Sequence, residues 1–479
     1  MTSDKRILLV NPSRTLGIYE STKILVPTSP NLTLATLAAP LLSRKQNVQI
    51  IDLSIEKNVI EALKRKLREF TPTHVGITIA TTTFKEMLIL GKIIKRIDPE
   101  ITLLGGGPHA SVLPEQTMKE SLLDVVVVGE GDYTLLDIME GKPLEEIQGI
   151  FYKQSGNIFQ TSPRPLIENL DALPFPAWDL YDLTRYKSTR SITRKWPVGF
   201  IETSRGCPYG CIFCSKNIFG RKFRAKSPKR VVDEMEHLLL VGFKEIHPQD
   251  DCFSMDLDRA KQICELIIKR KLEFPWIFGS GIRADKVDEE FLRKAKQAGC
   301  YRVHFGVESA SPQLLKNIKK GETINQIVKA VQISKKIGLE TATYFIFGLP
   351  GESEKTMKRD IDLAIQLGTD LSRVAMLVPY PGTPIYEEWE RKGIIKSKDW
   401  NLYGFHADMS MVYSHPDVDM GVAKKYYDLF YRRFYLRPSY ILKRGIRGLI
   451  HGFFFEDAKY FVRKYLVDVV EKFSHGKQT

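Results

Sequence analysis

The sequence predicts an α/β protein with three parts: an N-terminal doubly wound parallel sheet, an incomplete (β/α)6 barrel and a mainly helical C-terminal appendage. Three observations predict this class. Short apolar runs alternate with helical patterns from residue 6 to about 140, a Pro-rich connector interrupts them, and six further β/α units follow between about 198 and 380. The 479 residues also exceed one ordinary hydrophobic core, so several domains are expected.

The N-terminal series contains five apolar runs, which suit strands that are buried on both faces of a sheet. Helical patterns follow at 33–44, 57–69, 84–97, 112–119 and 132–139. In such sheets ligands bind beyond the carboxyl ends of the strands. The loops there predict a ligand-facing edge, and its candidate residues are Asn11, Pro12, Ser13, Thr81, Thr82, Thr83, Gly105, Gly106, Gly107, Gly129, Glu130 and Gly131.

A domain boundary is predicted near 162–185, where a Pro-rich connector follows a predicted hairpin at 149–160. The predicted limits are 1–145 for the sheet domain, 146–190 for the hairpin and linker, 191–385 for the barrel and 386–479 for the appendage. In a barrel of this kind the chemistry is expected at the carboxyl ends of the strands.

The net charge of +14 is concentrated in two segments. Residues 181–230 hold 13 Lys/Arg against 2 Asp/Glu, and residues 421–479 hold 13 against 5. Nucleic acid is one partner for such patches, but no recognisable nucleic-acid-binding motif accompanies them. No apolar run reaches the roughly 18 residues of a membrane span, and no signal-peptide pattern opens the chain, so a cytoplasmic address is expected.

Three of the six cysteines, Cys207, Cys211 and Cys214, crowd into eight residues directly after a predicted strand. Thiolates are the usual ligands of iron–sulfur clusters, and three of them would leave one iron of a [4Fe-4S] cube open to another molecule. A zinc site that lacks its fourth ligand and free structural thiols are the alternatives, which the spacing alone does not exclude.

This C-x3-C-x2-C loop after the first strand of a six-unit barrel resembles the signature of the radical S-adenosylmethionine superfamily. The resemblance implies a [4Fe-4S] cluster whose open iron binds S-adenosylmethionine through its amino and carboxylate groups. It further implies reductive cleavage of the sulfonium and release of a 5′-deoxyadenosyl radical. Phe213, which precedes the last cysteine, matches the family position that packs against adenine.

Further strand ends match the family's cofactor contacts. Glu308 and Ser309 resemble the segment that contacts the ribose and amino-acid parts of the cofactor, and Arg283 is a candidate partner of the cofactor carboxylate. Asp250 or Asp251 is expected to hold the methionine amine. Each of these residues has an alternative structural role, as a strand-end acid, a cap or an ion-pair partner.

The N-terminal domain resembles the cobalamin-binding domain of class B radical enzymes, on the loops at Thr81–Thr83, Gly105–His109 and Val128–Gly131. The Asp-x-His-x-x-Gly motif that supplies a lower axial histidine in many cobalamin proteins is missing. Neither His74 nor His109 has that context, so cobalt is expected without a histidine from this chain. A vestigial domain that binds no cobalamin is the alternative.

Together these resemblances imply a cobalamin-dependent enzyme that modifies an unactivated carbon, by methyl transfer in the first hypothesis. A radical cyclase or rearrangement enzyme acting on a lipid or terpenoid is the rival, and a non-catalytic metal-binding or nucleic-acid-binding protein is the third. A methylthiotransferase is disfavoured, because it would be expected to carry three further cluster-binding cysteines in its N-terminal domain and no cysteine precedes Cys207 here.

The partners expected are a flavodoxin or ferredoxin and a small, hydrophobic or lipid-like substrate. The reductant would dock at the basic segment 181–230, for which a plain solvated face is the alternative. The aromatic and basic run from 426 to 455 either packs as core or rests on an anionic membrane.

Overall fold

The structure is a computed structural model that describes residues 5–13, 28–190, 192–404 and 407–462. Its N-terminal sheet has seven strands in the order β2-β1-β3-β4-β5-β6-β7, of which the first five in the chain are parallel, as predicted. The hairpin β6–β7 pairs antiparallel with β5 and extends this sheet. The strands are β1 (Arg6–Asn11), β2 (Asn47–Asp52), β3 (His74–Thr78), β4 (Thr102–Gly106), β5 (Val125–Val127), β6 (Ile150–Gln154) and β7 (Asn157–Gln160).

Helices connect the parallel strands at the places that the apolar periodicity predicts. Side-chain caps fix where they begin: Asn31 accepts a hydrogen bond from the backbone N–H of Leu34, and Asn58 does the same for Glu61. The strand order reverses between β1 and β3, which is where ligands bind in sheets of this type. The helices are α1 (Leu32–Ser43), α2 (Val59–Phe70), α3 (Phe84–Ile97), α4 (Pro108–Val112), α5 (Pro114–Glu120) and α6 (Asp132–Glu140).

The second sheet consists of six parallel strands in the order β8-β11-β12-β13-β14-β15 and does not close, since β8 and β15 are not paired. Two further strands, β9 and β10, form a separate two-residue ladder on either side of the cysteine loop. The strands are β8 (Val198–Ile201), β9 (Ser204–Arg205), β10 (Arg224–Ala225), β11 (Glu245–Pro248), β12 (Trp276–Ile282), β13 (Cys300–Glu308), β14 (Glu340–Phe347) and β15 (Leu371–Met376).

Helices cover the outer face of this sheet and form the C-terminal appendage, so the predicted fold class is confirmed. The barrel helices are α7 (Pro228–Val241), α8 (Leu257–Lys269), α9 (Glu289–Gln297), α10 (Pro312–Asn317), α11 (Ile324–Ile337), α12 (Glu354–Leu367) and α13 (Pro384–Arg391). The appendage contains α14 (Met420–Tyr435), α15 (Pro438–His451) and α16 (Phe454–Val462).

The aromatic residues of α14 pack on the barrel. Phe430 is buried, with its ring centroid 5.4 Å from that of Phe345 in β14. The hydroxyl of Tyr435 donates to the carbonyl of Ser372 at 2.7 Å and accepts from its N–H at 3.1 Å, while Tyr431 donates to Val374 O at 2.9 Å. These hydroxyls satisfy the unpaired backbone of the edge strand β15, which would otherwise offer a pairing template.

Helix α15 presents an apolar stripe to solvent. Leu442, Ile446, Leu449 and Ile450 recur at helical spacing and are 53–73% exposed. No helix among the described residues is long and apolar enough to cross a bilayer. The remainder of the basic tail, after residue 462, lies outside the described residues.

Candidate active site

The cysteine loop lies between β9 and β10, at the carboxyl end of the first barrel strand. Cys207 is buried, Cys211 and Cys214 are half-buried, and all three are free thiols. The loop can begin only with glycine, because Gly206 has a φ of +84° and a Cβ there would lie 2.2 Å from Lys222 O. Burial raises the pKa of the Cys211 and Cys214 thiols, which Lys320 and Lys216 respectively offset. Lys216 Nζ donates to Cys214 Sγ at 3.3 Å.

The donor set of this loop fits an iron–sulfur cluster. Among the described residues, no group of three or more His, Cys, Asp or Glu side chains is arranged to hold a single metal ion. A [4Fe-4S] cube does not need such convergence, since each thiolate binds a different iron. The other three cysteines are buried, and burial raises the pKa of the Cys252 and Cys264 thiols to about 12.

Arg283, at the end of β12, braces the cysteine loop. Its guanidinium stacks 3.4 Å from the ring centroid of Tyr209, which lies between the first two cysteines. It also donates to both carboxylate oxygens of Asp285, at 2.8 and 3.1 Å, and to Lys320 O at 2.9 Å. The predicted cofactor-carboxylate ligand is therefore already hydrogen-bonded within the protein.

Glu308, at the end of β13, adopts a left-handed backbone with a φ of +61° beside a register shift in the sheet. Its carboxylate accepts from buried Lys320 Nζ at 2.9 Å, and the same ammonium lies 3.2 Å from Glu322. Burial alone would lower the pKa of Lys320, but the two carboxylates outweigh it and raise that pKa. A strained, charge-paired carboxylate next to the cysteine loop is typical of a functional site.

The remaining predicted residues of the barrel divide by exposure. Asp250 is buried and accepts from the N–H groups of Thr203 at 2.6 Å and Ser204 at 3.2 Å, so it fixes the end of β8. Its neighbour Asp251 is exposed, which leaves it free to bind an amine. Ser309 is buried and donates to Asp360 in α12 at 2.9 Å.

Phe213 is half-buried and packs against the hydrophobic core. The adenine contact predicted for it remains a prediction.

The glycines of the N-terminal ligand edge serve different purposes. A Cβ on Gly105 would lie 2.4 Å from Leu123 Cδ1, so this glycine is needed for packing inside the domain. Gly106 has only ordinary contacts. Gly107 has a φ of +109°, and a Cβ there would lie 3.0 Å from Ile79 O, whereas a Cβ on Gly129 would meet nothing within 4 Å.

Gly131 packs near Leu37. The open space beside Gly129 fits the approach of a broad ligand to the backbone.

Thr81 and Thr82 lie in a single 3₁₀ turn after β3, and buried Thr81 contacts His109 at 3.3 Å (Oγ1 to Nδ1). The His109 ring packs between Phe84 and Trp400, at centroid distances of 4.6 and 5.3 Å. Its Nε2 is buried without a hydrogen-bond partner in the described chain. Burial lowers the pKa of His109 to about 4, so the ring is neutral at pH 7.

No sequence pattern indicates Trp400, which comes from the appendage, more than 290 residues after His109.

A buried ionic network joins the two sheets, and sequence reasoning missed it. Arg205, one residue before Gly206, binds Asp132 through two hydrogen bonds of 3.1 Å and Glu130 at 3.1 Å. Arg224 lies 2.8 Å from Glu130, and Glu202 lies 2.6 Å from Arg205. The network brings the cysteine loop against the Gly129–Gly131 loop, so the ligand edges of the two sheets face each other.

Two family models match this chain: the radical SAM superfamily over residues 201–364 and the B12 binding domain over residues 26–139. An uncharacterised methyltransferase of Pyrococcus horikoshii is 34% identical over 94% of the chain and 99% of its own length. An anaerobic magnesium-protoporphyrin IX monomethyl ester cyclase of Rubrivivax gelatinosus is 28% identical over 80% of the chain and 69% of its own length.

A solved structure with the same fold is that of TsrM from Kitasatospora setae, a radical S-adenosylmethionine methyltransferase with cobalamin and a [4Fe-4S] cluster bound. The TM-score is 0.67 at 23% identity, and the match covers 82% of this chain and 76% of that one.

Proposed function

Because the chain belongs to the radical S-adenosylmethionine superfamily and carries a B12-binding domain, we propose that it transfers a methyl group to an unactivated carbon of a small molecule. As a member of that superfamily it is a radical enzyme, and its cofactors are a [4Fe-4S] cluster, S-adenosylmethionine and cobalamin. When bound, these groups supply the 5′-deoxyadenosyl radical and the methyl carrier.

The observation that carries this proposal is the contact between the two ligand edges. Arg205 leads directly into the cysteine loop and is anchored on Glu130 and Asp132 of the B12-binding domain. A cluster held on that loop and a corrin beside Gly129 would then face a common space. Methyl transfer by this chemistry requires such proximity, since the radical and the methyl donor act on the same carbon.

We assign roles to the site residues as follows. Cys207, Cys211 and Cys214 hold the cluster, and exposed Asp251 accepts hydrogen bonds from the methionine amine. Glu308, already held by Lys320, accepts hydrogen bonds from the ribose hydroxyls. Phe213 packs on adenine. Arg283 acts through Tyr209 as a positioning residue of the loop, and it reaches the cofactor carboxylate only by releasing one of its present partners.

Reductant docking is proposed at the exposed cations of the basic segment. Arg205, Arg224 and Lys226 are buried and paired, so they do not contribute to an outer surface. Arg221, Lys222 and Lys229 are exposed, and Arg221 donates to Pro208 O in the cysteine loop at 3.1 Å. Lys222 and Lys229 also pair with Glu168 and Asp233. An acidic flavodoxin or ferredoxin fits this surface by charge complementarity.

Peripheral contact with an anionic membrane, and with it a hydrophobic substrate, is proposed for α15. Its exposed apolar stripe has the composition of helices that lie in the interface of bilayers, and it is bordered by Lys443 and Arg447, both of which also pair with Asp370 of the barrel.

The first test compares the purified enzyme with a variant in which Cys207, Cys211 and Cys214 are all alanine. After anaerobic reconstitution and reduction, the wild type should bind iron and convert S-adenosylmethionine to 5′-deoxyadenosine, whereas the variant should do neither. Cys264→Ala, which removes a buried thiol in α8, is the matched control and should retain both. Zinc in the loop, or equal 5′-deoxyadenosine from the triple variant, would refute the radical assignment.

Ring formation is the second candidate function, because one relative is named as a cyclase. The same reaction separates it from methyl transfer. With cobalamin present, a methyltransferase should also form S-adenosylhomocysteine, because one cofactor molecule donates its methyl group. A cyclase should form 5′-deoxyadenosine alone. A corrin absorption spectrum of the purified protein would show whether the N-terminal domain is loaded.

A further inference from the structure

The interior of the barrel is polar, unlike the layers of branched aliphatic residues that fill closed barrels. Side chains alternate along a strand, so Glu245 and His247 of β11 share one face, as do Arg302 and His304 of β13. Phe345 packs outward on α14, which turns its neighbour Tyr344 inward. Arg373 of β15 pairs with Tyr344 in the sheet register and therefore points the same way.

The charged side chains of the lower layer of this interior pair with one another. Arg302 Nη2 lies 2.7 Å from Glu340 Oε2, and Arg194 Nη2 lies 3.1 Å from the other carboxylate oxygen. Glu245 accepts from Tyr301 at 2.8 Å and contacts His247 at 2.7 Å. These groups bind one another at the amino end of the barrel.

The middle layer is only partly paired. His304 Nδ1 lies 2.5 Å from the Tyr344 hydroxyl and 3.1 Å from Gly279 O, so one side of the ring is held in place. Its other nitrogen, Nε2, has no hydrogen-bond partner in the described chain, even though the residue is buried, with only 8% of its surface exposed. Burial, together with Arg302 and Arg373, lowers the pKa of His304 well below its usual value, so the ring is neutral.

Arg373 is the free cation of this layer. It is exposed and makes no hydrogen bond or ion pair within the part of the chain that the structure describes. A guanidinium matches carboxylate and phosphate through two parallel hydrogen bonds. An unpaired arginine beside an unpartnered imidazole nitrogen, inside an open barrel, is therefore complementary to an anionic group.

We propose that the barrel interior binds the substrate through a carboxylate or phosphate group on Arg373, with His304 Nε2 making a second hydrogen bond. Resting on the proposed function, this inference names the substrate class as a small organic anion. All six strands run toward the cysteine loop, so a molecule anchored on Arg373 extends from the middle of the barrel to the site where the radical forms.

The test measures anion binding directly, without turnover. Inorganic phosphate and glutarate are titrated by calorimetry into the anaerobically reconstituted enzyme, with and without saturating S-adenosylmethionine. Arg373→Gln should weaken binding of the preferred anion about tenfold or more, which is the size expected for losing a charged hydrogen-bonded pair. The affinity of Arg373→Lys should lie between those of the wild type and Arg373→Gln, since lysine keeps the charge but loses the paired hydrogen-bond geometry. Arg359→Gln, an exposed arginine on α12, should bind like the wild type.

Three outcomes would overturn the inference. They are binding that Arg373→Gln leaves unchanged, no saturable binding of either anion, or binding that saturating S-adenosylmethionine abolishes. The last would assign Arg373 to the cofactor's carboxylate. Formation of 5′-deoxyadenosine in the same samples reports separately on the proposed function. An enzyme that cleaves the cofactor without binding these anions at Arg373 keeps the function and loses this inference.

Discussion

At the scale of single residues, several buried polar groups are held in states that cost stability. Glu352, in the turn after β14, is 1% exposed, and burial raises its pKa to about 7. One of its carboxylate oxygens has no hydrogen-bond partner in the described chain. The pKa of Asp360 is raised as well, because this carboxyl is buried and because it lies close to the negative charge of Glu352.

Glu352→Gln should make stability less dependent on pH. A carboxyl whose pKa is raised by folding contributes stability below its ordinary value of 4.5, and that contribution is lost as pH rises through about 7. Between pH 4.5 and pH 8 the wild type should therefore lose about 2–3 kcal/mol more than the variant, measured by denaturant unfolding. The exposed Glu387→Gln should follow the wild type. Parallel curves for wild type and Glu352→Gln would contradict the assignment.

At the scale of elements, the appendage helix α14 completes the barrel. Its tyrosines supply to β15 the hydrogen bonds that a further strand would have made. The aromatic part of the tail is thus structural as far as Tyr440, whose hydroxyl donates to Asp370 O at 2.9 Å. Beyond it, the outward stripe of α15 has no such partner among the described residues.

Tyr435→Phe should lower the free energy of unfolding by about 1–2 kcal/mol, since it leaves both the N–H and the carbonyl of Ser372 without a partner. Hydrogen exchange of the β15 amides should accelerate in the same variant. Tyr426→Phe removes a hydroxyl on the same helix that is bonded to exposed Glu354, and it should change neither quantity measurably. Equal effects of the two substitutions would show that the edge bonds contribute nothing specific.

At the scale of the whole molecule, the buried ionic network fixes the B12-binding domain against the barrel. Arg205, Arg224 and Glu130 have side chains that are 2% exposed, so each charge depends on its partners for solvation. Breaking such a network leaves an uncompensated charge in a medium of low dielectric constant.

Glu130→Ala should destabilise the protein by about 3–5 kcal/mol, because two arginines lose their shared carboxylate. Limited trypsin digestion should then cleave the connector at 162–185 faster, as the domains separate more readily. The matched control is Glu168→Ala, which breaks an exposed pair with Lys222 and should cost less than about 1 kcal/mol. Unchanged stability of the Glu130 variant would mean that the domains are held by apolar contacts alone.

The sequence by itself determined the secondary-structure elements and predicted a cysteine loop that binds a cluster. Apolar periodicity located the strands and helices because burial repeats every two residues in a strand and every 3.6 in a helix. Three cysteines within eight residues predicted the cluster loop because ligands so close in sequence must be close in space.

Only the tertiary structure decided which residues meet across long separations. Three pairs of neighbouring residues join segments that are 69 to 291 residues apart, and no local pattern marks them: Trp400 with His109, Arg205 with Glu130, and Arg373 with His304. It also showed that Asp250, Ser309 and Arg283 already have partners within the protein, which their strand-end positions do not reveal. Side-chain pairing in a folded interior depends on which surfaces pack together, and local sequence does not encode that.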